Sequence, residues 1–141
     1  MIVAGIAQEG ETVSADTFTL ADEDGLGALT FQWLRDGVAI SGATADGYLL
    51  RQADVGAEIS VEVRYTDQGG TGESVTSDPT APIANVNDPP TGGVGIAGTA
   101  QEDEILTADT SALADEDGLG TLAYQWLREG TPISGATAST Y

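Results

Sequence analysis

The stretch Glu58-Ile59-Ser60-Val61-Glu62-Val63-Arg64-Tyr65 alternates at every position. Ile59, Val61, Val63 and Tyr65 fall on one side, and Glu58, Ser60, Glu62 and Arg64 fall on the other. A period of two, with β-branched or aromatic residues at each second place, describes a strand with one face in a core and one in water. Helical geometry would scatter the same four apolar residues around the axis. The stretch therefore predicts an antiparallel all-β fold.

Residues 29–35 read as a second strong strand, with Phe31 and Trp33 on one face and Gln32 and Leu34 on the other. Asp36-Gly37 is a hairpin turn, and residues 38–40 continue after it. Closer to the N-terminus, residues 2–7 and 12–15 are strand-like and flank the polar turn Gln8-Glu9-Gly10-Glu11. Residues 48–50 form a short apolar strand, and Ala53-Asp54-Val55-Gly56 turns the chain toward residue 58. Beyond residue 65, Asp67-Gln68-Gly69-Gly70 is a turn and residues 72–77 lead into a last strand. Pro79 and Pro82 mark that strand as a sheet edge, because proline cannot donate to an interior ladder. No segment has a helical period. Short strands punctuated by turn chemistry predict a β-sandwich.

Half of this pattern is written twice. Leu20-Ala21-Asp22-Glu23-Asp24-Gly25-Leu26-Gly27, followed by Gln32-Trp33-Leu34-Arg35, returns as Leu113-Ala114-Asp115-Glu116-Asp117-Gly118-Leu119-Gly120 followed by Gln125-Trp126-Leu127-Arg128. The offset is 93 residues, and about two thirds of positions are identical between residues 4–48 and 97–141, without a gap. A period of this size predicts tandem domains, each with its own small core. Residues 1–84 make one complete copy, 85–90 a linker, and 91–141 the N-terminal half of a second copy. The linker Asn85-Val86-Asn87-Asp88-Pro89-Pro90 is stiffened by its paired prolines.

Charge excludes several function classes. The chain carries 23 acidic residues against 4 basic ones, a net charge of −19. Nucleic-acid affinity comes from Lys and Arg neutralising phosphates, so a nucleic-acid partner is excluded. An anionic membrane surface is disfavoured for the same reason, and no apolar run approaches the length of a membrane span. Histidine is absent, which removes the commonest general base and the usual transition-metal ligand. Cysteine is absent too, so disulfides play no part and the compartment stays open on that evidence. Met1-Ile2-Val3 opens no recognisable signal peptide, which leads us to expect a segment of a longer chain or an export signal elsewhere.

The run Phe31-Gln32-Trp33-Leu34-Arg35-Asp36-Gly37, with Ile40-Ser41-Gly42-Ala43-Thr44, Tyr48, Ala53-Asp54-Val55-Gly56 and Ile59-Ser60-Val61, resembles bacterial immunoglobulin-like repeats. Such repeats are strung through secreted surface proteins, including giant RTX-type adhesins exported by type I systems. The acidic turn and the Asn-Asp-Pro linker resemble those of cadherin-like domains, which share calcium ions between neighbours. The resemblance implies an immunoglobulin-like sandwich and an extracellular or bacterial cell-surface location. Its implied partners are neighbouring repeats of the chain or copies of itself.

In such a sandwich the strands run alternately up and down, which assigns turns to ends. Asp22, Asp24 and Asp67 are expected at the N-terminal end. Glu9, Glu11 and Asp54 are expected at the opposite end, beside the departing linker. One junction would then gather Glu9, Glu11 and Asp54 with Asn85, Asn87 and Asp88 of the linker and Asp115 and Asp117 of the second copy. All offer oxygen, which suits calcium, whereas zinc needs nitrogen or sulfur that this chain does not supply. The competing reading is that the acidic turns are solvated loops and the charge confers solubility.

Trp33, Trp126, Phe31 and Tyr124 are read as core rather than as a sugar-stacking platform. Paired carboxylates on tight turns, without pocket-forming sequence around them, argue against an enzyme. The sequence thus points to a non-catalytic, calcium-stiffened spacer repeat of a bacterial adhesin. Two alternatives stand beside it: a subunit of an extracellular fibre completed by strand addition, and an accessory module of a secreted polysaccharide-active enzyme.

Overall fold

The computed structural model describes all residues, Met1–Tyr141. They form two compact units, Met1–Val86 and Asn87–Tyr141, and the boundary falls inside the expected linker. The structure is all-β, with a single 3-10 turn at Gln52–Asp54 and no α-helix.

The first unit is a sandwich of two antiparallel sheets. One sheet contains β1 (Ile2–Ala4), β2 (Thr12–Asp16) and β5 (Gly47–Leu49) in the order β1-β2-β5. The other contains β3 (Thr30–Arg35), β4 (Val38–Ala39), β6 (Ile59–Thr66) and β7 (Gly72–Thr76) in the order β4-β3-β6-β7. The alternating stretch is thus an interior strand, and β7 is the edge that the prolines after it announce. The first strand is shorter than the expected 2–7, because Gly5 leaves extended geometry at φ +132.

Alternation in β6 translates directly into burial. Ile59, Val61 and Val63 are fully buried and Tyr65 nearly so. In the ladder Val61 lies opposite Trp33 and Val63 opposite Phe31. Trp33, Val13, Leu50, Ile59, Val61 and Ile83 form the core between the sheets. The Trp33 ring stacks on Tyr48 at 5.8 Å, and its indole N–H donates to the Ala45 carbonyl at 2.9 Å. A buried indole with its polar atom satisfied is a core residue, not a ligand platform. Ser60 departs from the expected pattern: it is buried although it lies on the outer face.

Register also fixes the two ends of the unit. Thr30 pairs with Arg64 and Ile2 with Asp16, so Met1, the acidic turn before β3 and the Asp67 turn after β6 share one end. Gln8 bridges Ala84 and Val55 bridges Ile83, so the chain leaves the unit at the opposite end, beside Glu9.

The second unit repeats the first half of this plan. β8 (Gly95–Ala97) pairs with β9 (Thr107–Asp109), and β10 (Leu127–Arg128) forms a hairpin with β11 (Thr131–Pro132). Trp126 stacks on Tyr141 at 5.6 Å and donates to the Ala138 carbonyl at 2.9 Å, as Trp33 does with its own partners. The Gln125 amide donates to Trp126 and Ile133 carbonyls at 3.0 and 2.8 Å, matching Gln32 with Trp33 and Ile40 at 2.9 and 2.8 Å. No stretch of residues 91–141 corresponds to β6 or β7, and Ile96, Ile105 and Leu127 are each more than half exposed.

Candidate metal site

Two turns build the site. In the first, the Asp24 N–H donates to Asp22 Oδ1 at 2.8 Å and the Gly25 N–H donates to the Asp22 carbonyl at 3.1 Å. This Asx geometry is what an aspartate two residues ahead of its donor provides. In the second, the Thr71 N–H donates to Asp67 Oδ1 at 2.7 Å, and the Asp67 N–H returns to the Thr71 carbonyl at 2.9 Å.

The turns dock on each other. The Gln68 N–H donates to the Asp24 carbonyl at 3.3 Å. Gly27 lies so close to the end of β6 that a Cβ there would overlap the Thr66 carbonyl oxygen. That close approach brings carboxylate oxygens of Asp22, Asp24 and Asp67 within 4.8 Å of one another. Asp67 is buried, Asp22 is half-buried and Asp24 is exposed, so the group opens to solvent on one side.

Electrostatics disfavours three clustered anions without a cation. Two like charges about 4 Å apart repel by about 1 kcal/mol in water and about 4 kcal/mol at an effective dielectric of about 20. No arginine ion-pairs with these aspartates, since Arg35 pairs with Asp54 and Arg64 with Glu62. A neutral donor helps instead: the Tyr65 hydroxyl donates to Asp22 Oδ2 at 2.9 Å. That hydrogen bond, followed by burial, raises the Tyr65 pKa above its ordinary 10.0. The donors available to a cation are carboxylate and carbonyl oxygens, which fit calcium's preference for six to eight oxygens. Calcium on Asp22 should therefore release Tyr65 to ionise at lower pH. Ultraviolet titration of tyrosine with and without calcium reads this shift, and Tyr65→Phe should abolish it.

The other expected ligands divide between the units. Glu9 is half-buried and Glu11 exposed, at the end of the first unit where Asn85 leaves it; the Val86 N–H lies 3.4 Å from Glu9 Oε2. In the second unit Asp115 Oδ1 accepts from the Asp117 N–H at 2.9 Å, repeating the Asp22–Asp24 turn. Asp117 Oδ2 accepts from the Asp88 N–H at 2.8 Å, and the Asn87 amide donates to the Asp88 carbonyl at 3.0 Å.

Asp54 is a correction. Its side chain is fully buried, and both oxygens are taken by Arg35, the Tyr48 hydroxyl and the Arg51 N–H, at 2.5 to 3.2 Å. It is a structural anion held by a structural cation, not an ion ligand. Tyr65, by contrast, belongs to the site although alternation marks it only as an inward residue.

No protein-family model matches the chain, and no curated protein matches it.

Proposed function

We propose that the chain is a non-catalytic, immunoglobulin-like repeat of the spacer type, from an extracellular or cell-surface bacterial adhesin, stiffened by calcium. The observation that carries this reading is the Asp22, Asp24 and Asp67 group, assembled by two docked turns with no arginine to neutralise it. Its equivalent turn, Asp115 to Asp117, recurs 93 residues later, which suits an array in which each repeat presents the same acidic end. The two-sheet sandwich with a tryptophan at its centre supports the immunoglobulin-like assignment. Enzyme chemistry has little to work with: the chain has no histidine or cysteine, and its acids lie on turns. In this reading calcium also draws on Asp88, the one acid of the linker, and holds consecutive repeats at a narrower range of separations. Small-angle scattering of the 141-residue chain with calcium and with chelator checks this. Calcium should narrow the distribution of interatomic distances, and an identical distribution in both conditions would count against the spacer reading.

A further inference from the structure

An opening lies in the first unit, between the turn that follows β4 and the strand β5. Its volume is about 390 Å³, within the range of about 300–1,000 Å³ that small-ligand clefts span. Arg35 and Arg51 both line it, which places two of the chain's 4 basic residues in one opening. No acidic residue lines it, in a chain that carries 23 of them. Ser41 and Thr44 add hydroxyls, and Ile40 and Leu49 add apolar surface.

Its walls are fixed by hydrogen bonds within the unit. The Trp33 N–H donates to the Ala43 carbonyl and the Trp33 indole N–H to the Ala45 carbonyl, both at 2.9 Å. The Gln32 amide donates to the Ile40 carbonyl at 2.8 Å, so the turn is pinned to β3 at three points. Beyond β5, the Arg51 N–H donates to Asp54 Oδ2 at 2.8 Å and the Asp54 N–H donates to the Arg51 carbonyl at 2.7 Å. Walls held in this way lower the ordering cost of binding. The two guanidinium groups differ in what they offer. Arg35 spends its Nε and one terminal nitrogen on Asp54 Oδ1, which neutralises its charge, but its side chain is 34% exposed and keeps others of its N–H donors. Arg51 is exposed and enters neither of the chain's ion pairs, so it supplies the charge of the opening. The Ser41 and Thr44 hydroxyls are exposed and make no hydrogen bond within the chain.

We propose that this opening binds a small hydroxylated carboxylate of the sugar-acid class. The planar Arg51 fork matches both oxygens of a carboxylate at once. The remaining Arg35 donors and the Ser41 and Thr44 hydroxyls take the ligand's hydroxyl groups, and its C–H face lies on Ile40 and Leu49. Repulsion from the chain's distant acids does not prevent this, because salt near 150 mM screens exposed charges beyond about 8 Å. The site shares no residue with Asp22, Asp24 and Asp67. It is therefore independent of calcium, and it gives the repeat a ligand of its own besides its spacing role.

The test titrates the 141-residue chain with glucuronate, in chelator and at about 150 mM salt, followed by calorimetry and amide NMR. The expected result is saturable one-to-one binding, with amide shifts across residues 40–51 and none at residues 22–27. Glucose, which lacks the carboxylate, should bind at least about tenfold more weakly, the loss expected for one charge-assisted hydrogen bond. Arg51→Ala should weaken glucuronate by a similar factor while leaving the urea midpoint of the first unit unchanged, because its side chain makes no ion pair. Arg51→Lys, which keeps the charge without the fork, should fall between the two. Glucuronate binding that does not saturate by about 50 mM, far weaker than even a millimolar site, overturns the proposal. Equal affinity for glucose and glucuronate in the wild-type chain overturns it without reliance on any variant. Inorganic sulfate binding as tightly as glucuronate reduces the site to a charge that takes any anion, and overturns the sugar-acid assignment.

Discussion

Asp54→Ala is expected to destabilise the first unit by about 3 kcal/mol in urea unfolding, far more than a loop aspartate ordinarily costs. The carboxylate is fully buried and accepts from the Arg35 guanidinium, the Tyr48 hydroxyl and the Arg51 N–H. Its removal leaves the half-buried Tyr48 hydroxyl and the N–H of the exposed Arg51 without their acceptor; a stranded buried donor costs about 1–3 kcal/mol, and one that water reaches costs less. The Arg35 side chain is 34% exposed and turns to water, which discounts the ion-pair contribution. Asp54→Asn, which keeps one acceptor oxygen, should cost less than the alanine variant.

The same cluster gives a pH dependence. Burial, and after it the hydrogen bond to Asp54, raises the Tyr48 pKa above 10.0. A raised pKa contributes stability that is intact below the unfolded value and is lost as pH rises through the folded one. The first unit should therefore weaken in the alkaline range above pH 10. Tyr48→Phe should remove part of that dependence while leaving stability near neutrality less changed than Asp54→Ala does.

Trp33→Ala is the second large effect. The ring is fully buried, packs in the core with Val13, Ile59 and Val61, and stacks on Tyr48. Truncating a buried tryptophan costs about 3–5 kcal/mol in lost transfer energy and residual cavity. Domains of ordinary stability hold only about 5–15 kcal/mol in total. The variant should thus lower the urea midpoint of the first unit sharply or leave it unfolded at 25 °C. Trp126→Ala should leave that first transition unchanged, since Trp126 packs within Asn87–Tyr141. A first-unit midpoint within experimental error of wild type in Trp33→Ala would show that the core is not organised on this residue.

The residues differ in how much of this was legible beforehand. Strict alternation made β6 readable, because period and burial are the same fact in a strand with one wet face. Pro79 and Pro82 made the edge readable through their missing N–H groups. The grouping of Asp22 with Asp67 followed from counting strands up and down. Asp54 reads as a turn ligand because its arginine lies 19 residues earlier in sequence, and nothing in a turn-forming aspartate records a buried partner. The Tyr65 to Asp22 hydrogen bond spans 43 residues and is equally invisible in the sequence, where Tyr65 reads only as an inward residue of its strand. Local pattern sets which face a side chain takes. Polar pairing across sheets depends on tertiary distances that the pattern does not contain.

The acidic end of the sandwich, with Asp22, Asp24 and Asp67, is the proposed ion site. The most direct measurement is the thermal unfolding of the 141-residue chain with calcium, with magnesium and with chelator, beside the double variant Asp22→Asn, Asp67→Asn. Ligand at about 100 times its dissociation constant stabilises the folded state by about 2.7 kcal/mol. For a unit of this size that raises the midpoint by roughly 10 °C or more. The account predicts such a rise with calcium and a much smaller one with magnesium, which demands near-ideal octahedral geometry and dehydrates reluctantly. The double variant should lose the rise, and in chelator it should be at least as stable as wild type because repulsion is relieved. A wild-type midpoint that calcium leaves unchanged would contradict the account and return the three aspartates to solvent.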